Sequence, residues 1–172
     1  MKINLNITVC LFILSANLYS QKQGFQIEVI KFLKQNQESI LSLAKEIPEE
    51  HYDWKPVEGV RTVGEALLHI AGANYYILTH LGILPPKEVD LMNIESLKGK
   101  EKIMLTVKSS FDYVSDHILS ITDEKLKDKV KFAFGERSQY GALLQLIDHS
   151  GEHKGQLIAY ARSIGVAPPW NK

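Results

Sequence analysis

Two histidines four residues apart, in Asp148-His149-Ser150-Gly151-Glu152-His153, are the sharpest chemical feature of the chain. On a helix that spacing stacks both imidazoles on one face, with Cβ atoms about 5–6 Å apart, so one metal ion can take a nitrogen from each. The same face carries Leu146, Leu157, Tyr160 and Ile164, which turns the pair toward a core rather than toward water. Burying an imidazole among apolar neighbours is unfavourable unless its nitrogens find partners. A divalent cation would supply them. Hydrogen bonds from neighbouring helices would also do so, and spacing alone does not separate the two. A metal needs a third ligand, and His69 is the best candidate. It sits in Leu67-Leu68-His69-Ile70-Ala71-Gly72-Ala73, where a bare imidazole has few local partners and small residues would let a neighbouring helix approach closely.

The other histidines fit less well. His80 lies eleven residues after His69, about 16 Å along a helix axis, so the two cannot share an ion. His117 is expected near the end of a helix, where a positive charge suits the dipole, and His51 falls in a charged turn after Pro48. The run His149 to His153 also satisfies H-x-x-E-H, an inverted zinc-protease signature. Such a site needs an acidic ligand downstream, and the 19 residues after His153 contain no Asp or Glu. Cys10 is the only cysteine. The rest of the chain therefore offers nitrogen and oxygen ligands only, with no disulfide and no thiol nucleophile.

Four stretches of helical periodicity must position these residues. The first runs from about Gln21 to Ile47, with Phe25, Val29, Phe32, Leu33, Ile40 and Leu43 recurring every three or four positions before Pro48 stops it. The second opens at Thr62-Val63-Gly64-Glu65, which fits a capping box, and ends near Gly82. The third is expected over roughly Lys98 to Ile121, and the fourth from near Ser138 to about Ile164, closing at Gly165. Between them Val130-Lys131-Phe132-Ala133-Phe134 alternates with period two and suggests a short extended strap, too brief to make a sheet. The pattern predicts an all-α, single-domain four-helix bundle.

The first twenty residues differ in kind. Lys2 precedes a mostly apolar stretch from Ile7 to Leu18, followed by Ser20-Gln21-Lys22-Gln23. This is the anatomy of a signal peptide over residues 1–20, cleaved after Ser20, with the bundle over 21–172. The apolar stretch falls short of the roughly 20 residues that span a bilayer, so no stable membrane anchor is expected. The mature protein would be periplasmic or secreted. Lys plus Arg balances Asp plus Glu at 20 each, and no basic cluster tracks a phosphate backbone, so nucleic acid is not an expected partner.

Three stretches together resemble the DinB/YfiT-like bundles. They are Asp53-Trp54-Lys55-Pro56 leading into Arg61-Thr62-Val63-Gly64-Glu65-Ala66-Leu67-Leu68-His69-Ile70, then His149 through Arg162, then Gly165-Val166-Ala167-Pro168-Pro169. The resemblance implies one histidine ligand from the second helix and two from the fourth, which fall on His69, His149 and His153. Lys154-Gly155-Gln156 stands where relatives often carry Arg-Gly-Gln. It also implies a divalent metal (zinc, nickel or iron), a small-molecule substrate and a homodimer. Two kinds of reaction follow from it: metal-assisted hydrolysis, and transfer or isomerisation with a low-molecular-weight thiol. Export weighs against the thiol, which is kept reduced in the cytoplasm. The alternative is a non-catalytic metal- or ligand-binding module whose metal braces the bundle. No catalytic residue can be assigned. Glu65 and Gln145, one turn before His69 and His149, could bear on those rings. Glu65 has a competing role in the capping box, and Glu152 is expected in solvent. Trp54, Tyr75, Tyr76 and Tyr160 could line a cavity or simply fill the core.

Overall fold

The computed structural model describes residues 23–171. The expected signal peptide, Cys10 included, lies outside the described residues. Four helices dominate: α1 (Gly24–Glu46), α2 (Val63–His80), α3 (Lys100–His117) and α4 (Gln139–Ser163). All four expected helices are present, with ends shifted by a few residues. The third is the most altered. It starts after Gly99 (φ 90°) and gives way to a 3-10 turn at Ile118–Ser120. No described helix is long and apolar enough to cross a membrane.

Helix α1 borders α3 and α4, and α2 borders the same two. Helices α1 and α2, consecutive in sequence, therefore stand across the bundle from each other. The core lies where the four stripes meet, at Leu33, Ile40 and Leu43 of α1, Leu67, Ile70 and Leu78 of α2, Phe111 of α3, and Leu143 and Leu146 of α4, all essentially inaccessible. Each such side chain contributes roughly 1.5–3 kcal/mol of transfer free energy on burial. One expected stripe residue is misplaced: Phe32 is 55% exposed, because the flanking Val29 and Leu33 already fill the inward arc of α1.

Both histidine-bearing helices begin and end on local chemistry. At α2, Thr62 Oγ1 accepts from the Glu65 amide at 3.2 Å while Glu65 Oε2 accepts from the Thr62 amide at 2.9 Å. At α4, Ser138 Oγ accepts from the Gly141 amide at 3.1 Å. Each C-terminus closes through a left-handed glycine, Gly82 (φ 82°) and Gly165 (φ 79°). The residue after each glycine donates back across the last turn, Ile83 to Leu78 O and Val166 to Ala161 O.

Two connections matter for the site. Ahead of α2, the amide of Val63 donates to Trp54 O (3.0 Å) and that of Gly64 to Tyr52 O (2.8 Å), pinching the chain into a closed neck below residues 55–61. A Cβ at Gly64 would meet Tyr52 O at 3.1 Å, so only glycine leaves the neck its spacing. Ahead of α4, the extended segment pairs after all. β1 (Lys129–Phe132) and β2 (Gly135–Ser138) form an antiparallel hairpin, with Phe132 opposite Gly135. The expectation of an unpaired strap is corrected here. β2 is polar and exposed, so it carries no alternation that a sequence pattern would register.

Candidate metal centre

Helices α2 and α4 pack directly on one another, which brings His69 against His149 and His153. One ring nitrogen from each lies within 4.8 Å of the other two. His69 Nε2 and His149 Nε2 are 3.2 Å apart, close to the roughly 3.3 Å between two nitrogens at opposite edges of a tetrahedral ion with bonds of 2.0–2.1 Å. The ring centroids form a compact triangle, 5.0 Å (His69 to His149), 4.8 Å (His69 to His153) and 4.5 Å (His149 to His153) on its sides. All three rings are half-buried.

Two rings are oriented from behind. Glu95 Oε1 lies 2.6 Å from His69 Nδ1, and Gln156 Oε1 lies 2.7 Å from His153 Nδ1. Both oxygens are acceptors, so each Nδ1 carries the proton and each Nε2 keeps a lone pair facing inward. With the His69 lone pair committed, the 3.2 Å contact to His149 calls for a proton or a cation between the rings. The donor set therefore fits a divalent ion.

Glu95 comes from outside the helices, on a 3-10 turn at Ile94–Ser96. The turn reaches the site because Gly72 has no side chain: a Cβ there would sit 3.2 Å from Ile94 Cγ2. The small residues after His69 thus admit a turn, where a helix was expected. Arg61 then grips Glu95 with Nε at 2.9 Å and Nη2 at 3.4 Å. The carbonyl of Arg61 accepts from Tyr160 Oη (3.2 Å), which accepts from Gln156 Nε2 (2.8 Å). A single hydrogen-bonded chain thus runs from His69 through Glu95, Arg61, Tyr160 and Gln156 to His153.

The electrostatics favour neutral rings at His149 and His69. Burial, with His153, His69 and Arg61 nearby, lowers His149 to about 4. His69 is also lowered, by burial first; its hydrogen bond to Glu95 opposes the shift without cancelling it. Burial pushes the Glu95 carboxyl up, but hydrogen bonds from Arg61 and His69 outweigh that and hold it below the usual carboxylate range. Neutral imidazoles beside an ionised carboxylate are the protonation states that metal ligation requires.

The remaining candidates fall elsewhere. Glu65 is occupied by the capping box. Gln145 is half-buried beside His149 without a hydrogen bond to it, and Glu152 is exposed. His117 Nδ1 contacts Tyr113 O at 2.8 Å and its ring stacks on Tyr113. His80 packs against Phe132 and Tyr76. Tyr75 is core, and Trp54 meets Tyr160 edge-on. The sequence reading missed Glu95 altogether, since no periodicity marks a loop carboxylate. A cleft of about 910 Å³ opens beside His69 and His149. A second, polar recess of about 580 Å³ shares Glu95 and adds Arg61 and Gln156.

Comparison with known proteins places the chain and its fold. A sequence model of the DinB family matches residues 18–172. YjoA of Bacillus subtilis strain 168, an uncharacterised protein, is 29% identical over 128 residues, covering 72% of this chain and 80% of its own. A DinB-like protein from Bacillus cereus superposes with a TM-score of 0.67 at 23% identity, over 80% of this chain and 93% of that one. YfiT from Bacillus subtilis, described as a probable metal-dependent hydrolase with an unusual four-helix bundle topology, superposes with a TM-score of 0.66 at 14% identity, over 83% and 89% of the two chains. At these identities the superpositions speak for the fold.

Proposed function

This chain belongs to the DinB family, and from that premise we propose that it is an exported metalloenzyme that hydrolyses a small molecule at a divalent ion held by His69, His149 and His153. The observation that carries the reading is the convergence of three ring nitrogens within 4.8 Å, two of them turned inward by acceptors on the opposite ring atom. Three neutral ligands leave a cation its full charge and an open coordination position, the layout of catalytic rather than structural sites. Such an ion supplies Lewis acidity, lowering the pKa of water and polarising a carbonyl.

The chain's own residues do the rest. Glu95 and Gln156 hold two rings in the ligating tautomer, and Arg61 fixes Glu95 in turn. The cleft beside His69 and His149 gives a substrate access to the ring edges. Glu95 is committed to His69 and Arg61 and is not free to act as a general base. Imidazole suits zinc, nickel and iron alike. The structural neighbour described as a probable metal-dependent hydrolase supports hydrolysis. The basic start, apolar stretch and polar junction over residues 1–23 support export.

Elemental analysis of untagged protein, paired with turnover of a panel of small esters and amides, tests the reading. One equivalent of metal and an activity that both disappear in His153→Ala are expected. If chelation only lowers the melting temperature and nothing turns over, the metal braces the bundle instead. Recovery of the chain from the cytoplasm with residue 1 intact would refute export.

A further inference from the structure

The cleft beside His69 and His149 is larger than access to an ion requires. Its volume of about 910 Å³ lies at the upper end for small-molecule sites. Ile77, Leu91, Met92, Ile94 and Phe134 supply a mostly apolar wall, and Gly72 and Ala73 keep the α2 side low. The polar groups are few and sorted by position. His69, His149 and Glu95 stand at one end, and Arg137 of β2 stands at the other, with Gln145 between. Arg137 precedes His149 by twelve residues, nearly all of them helical, which separates the two ends by roughly 18 Å.

Arg137 differs from Arg61. Arg61 is held by Glu95, whereas no carboxylate among the described residues pairs with Arg137. Its guanidinium lies 5.5 Å from the Phe134 ring centroid, a cation–π approach that draws the charge to the cleft side of the exposed hairpin. A guanidinium at the rim of an apolar cleft, with no carboxylate on it among the described residues, is a receptor for an anion. No lysine or second arginine lines the cleft, which suits a singly charged carboxylate at Arg137 better than a doubly charged phosphate.

We propose that this cleft binds elongated apolar monocarboxylates, with the carboxylate on Arg137, the body along the wall that Ile77, residues 91–94 and Phe134 supply, and the opposite end at the histidines. The proposal rests on the metalloenzyme reading only for what happens at the histidine end; the carboxylate seat needs no metal.

Fluorescence titration of the full-length protein with dansylaminoundecanoic acid and with the matching alcohol tests it, on protein as isolated and again after chelation. The acid is expected to bind about tenfold more tightly than the alcohol in both states, as one charge-assisted contact allows. Arg137→Gln should remove that preference and Arg137→Lys should keep part of it, both with unchanged metal content and melting temperature. Equal binding of the two probes, no binding of either, or a preference that survives Arg137→Gln overturns the proposal. So does a preference lost on chelation, which would place the acid on the cation. If the protein carries no metal yet shows the Arg137-dependent preference, the metalloenzyme reading fails and the carboxylate seat stands.

Discussion

Helix α2 contributes one histidine and takes its support from elsewhere in the chain, whereas α4 contributes two and supports one of them from its own next turn. His69 leans on Glu95, 26 residues away, and His153 on Gln156, three residues away. The surroundings differ too: eleven of the 18 residues of α2 are buried, against seven of the 25 of α4. The α4 half of the site can form with the helix itself. The α2 half exists only once the 3-10 turn has docked over Gly72. Its carboxylate is charged, and its partner in α4 is a neutral amide, so the two supports should differ in strength as well as in origin.

Removing a ring tests the frame on which this contrast stands. His69→Ala and His153→Ala should each abolish retention of metal through gel filtration, measured by elemental analysis. Full retention in either variant would mean that the other two rings suffice. The supports come next. Glu95→Gln should weaken metal affinity by about 10–100-fold, with Gln156→Ala at or below the lower end of that range, read by competition with a chromogenic chelator. Equal losses would erase the distinction between distant and local support.

Acid sharpens the comparison further. Burial holds His149 at about 4 and lowers His69 from the ordinary 6.5. Below pH 6.5 the unfolded chain takes up protons that the folded chain refuses, so stability is fully present above that pH and declines as pH falls toward about 4. Thermal melts of chelated protein should show this decline, and it should be shallower in His149→Gln. Melting temperatures that stay level across the window would contradict it. The smallest contrast lies in the caps. Thr62→Ala removes one bond of a reciprocal pair and keeps the other, since Glu65 still accepts from the backbone amide of residue 62, whereas Ser138→Ala removes the side-chain cap of α4 outright. Each should cost about 1 kcal/mol, or about 2–4 °C in Tm, with Ser138→Ala the larger in calorimetry.

The same division decides what could be seen in advance. Helices, caps and glycine stops are written within a few residues of where they act, so Thr62, Glu65, Gly82, Ser138 and Gly165 announce α2 and α4 directly. His149 and His153 announce themselves by spacing, and His69 by being a lone imidazole amid apolar neighbours. Glu95 does not, because it becomes a partner of His69 only through a tertiary approach over Gly72. The hairpin is equally silent: Gly135-Glu136-Arg137-Ser138 has no alternation and its turn, Ala133-Phe134, lacks the Asn-Gly type of signal. Phe32 misleads in the opposite sense, being apolar and periodic yet exposed.

The neck ahead of α2 has a practical consequence. Because the Trp54–Val63 and Tyr52–Gly64 bonds close its base, residues 56–58 form a detour whose length the rest of the molecule does not register. Doubling such a detour adds only about 0.6 kcal/mol of closure entropy. An epitope, a fluorophore-bearing linker or a fused partner grafted there would leave Thr62 and the rings behind it in place, which makes this bulge the natural handle for tethering the protein to a surface.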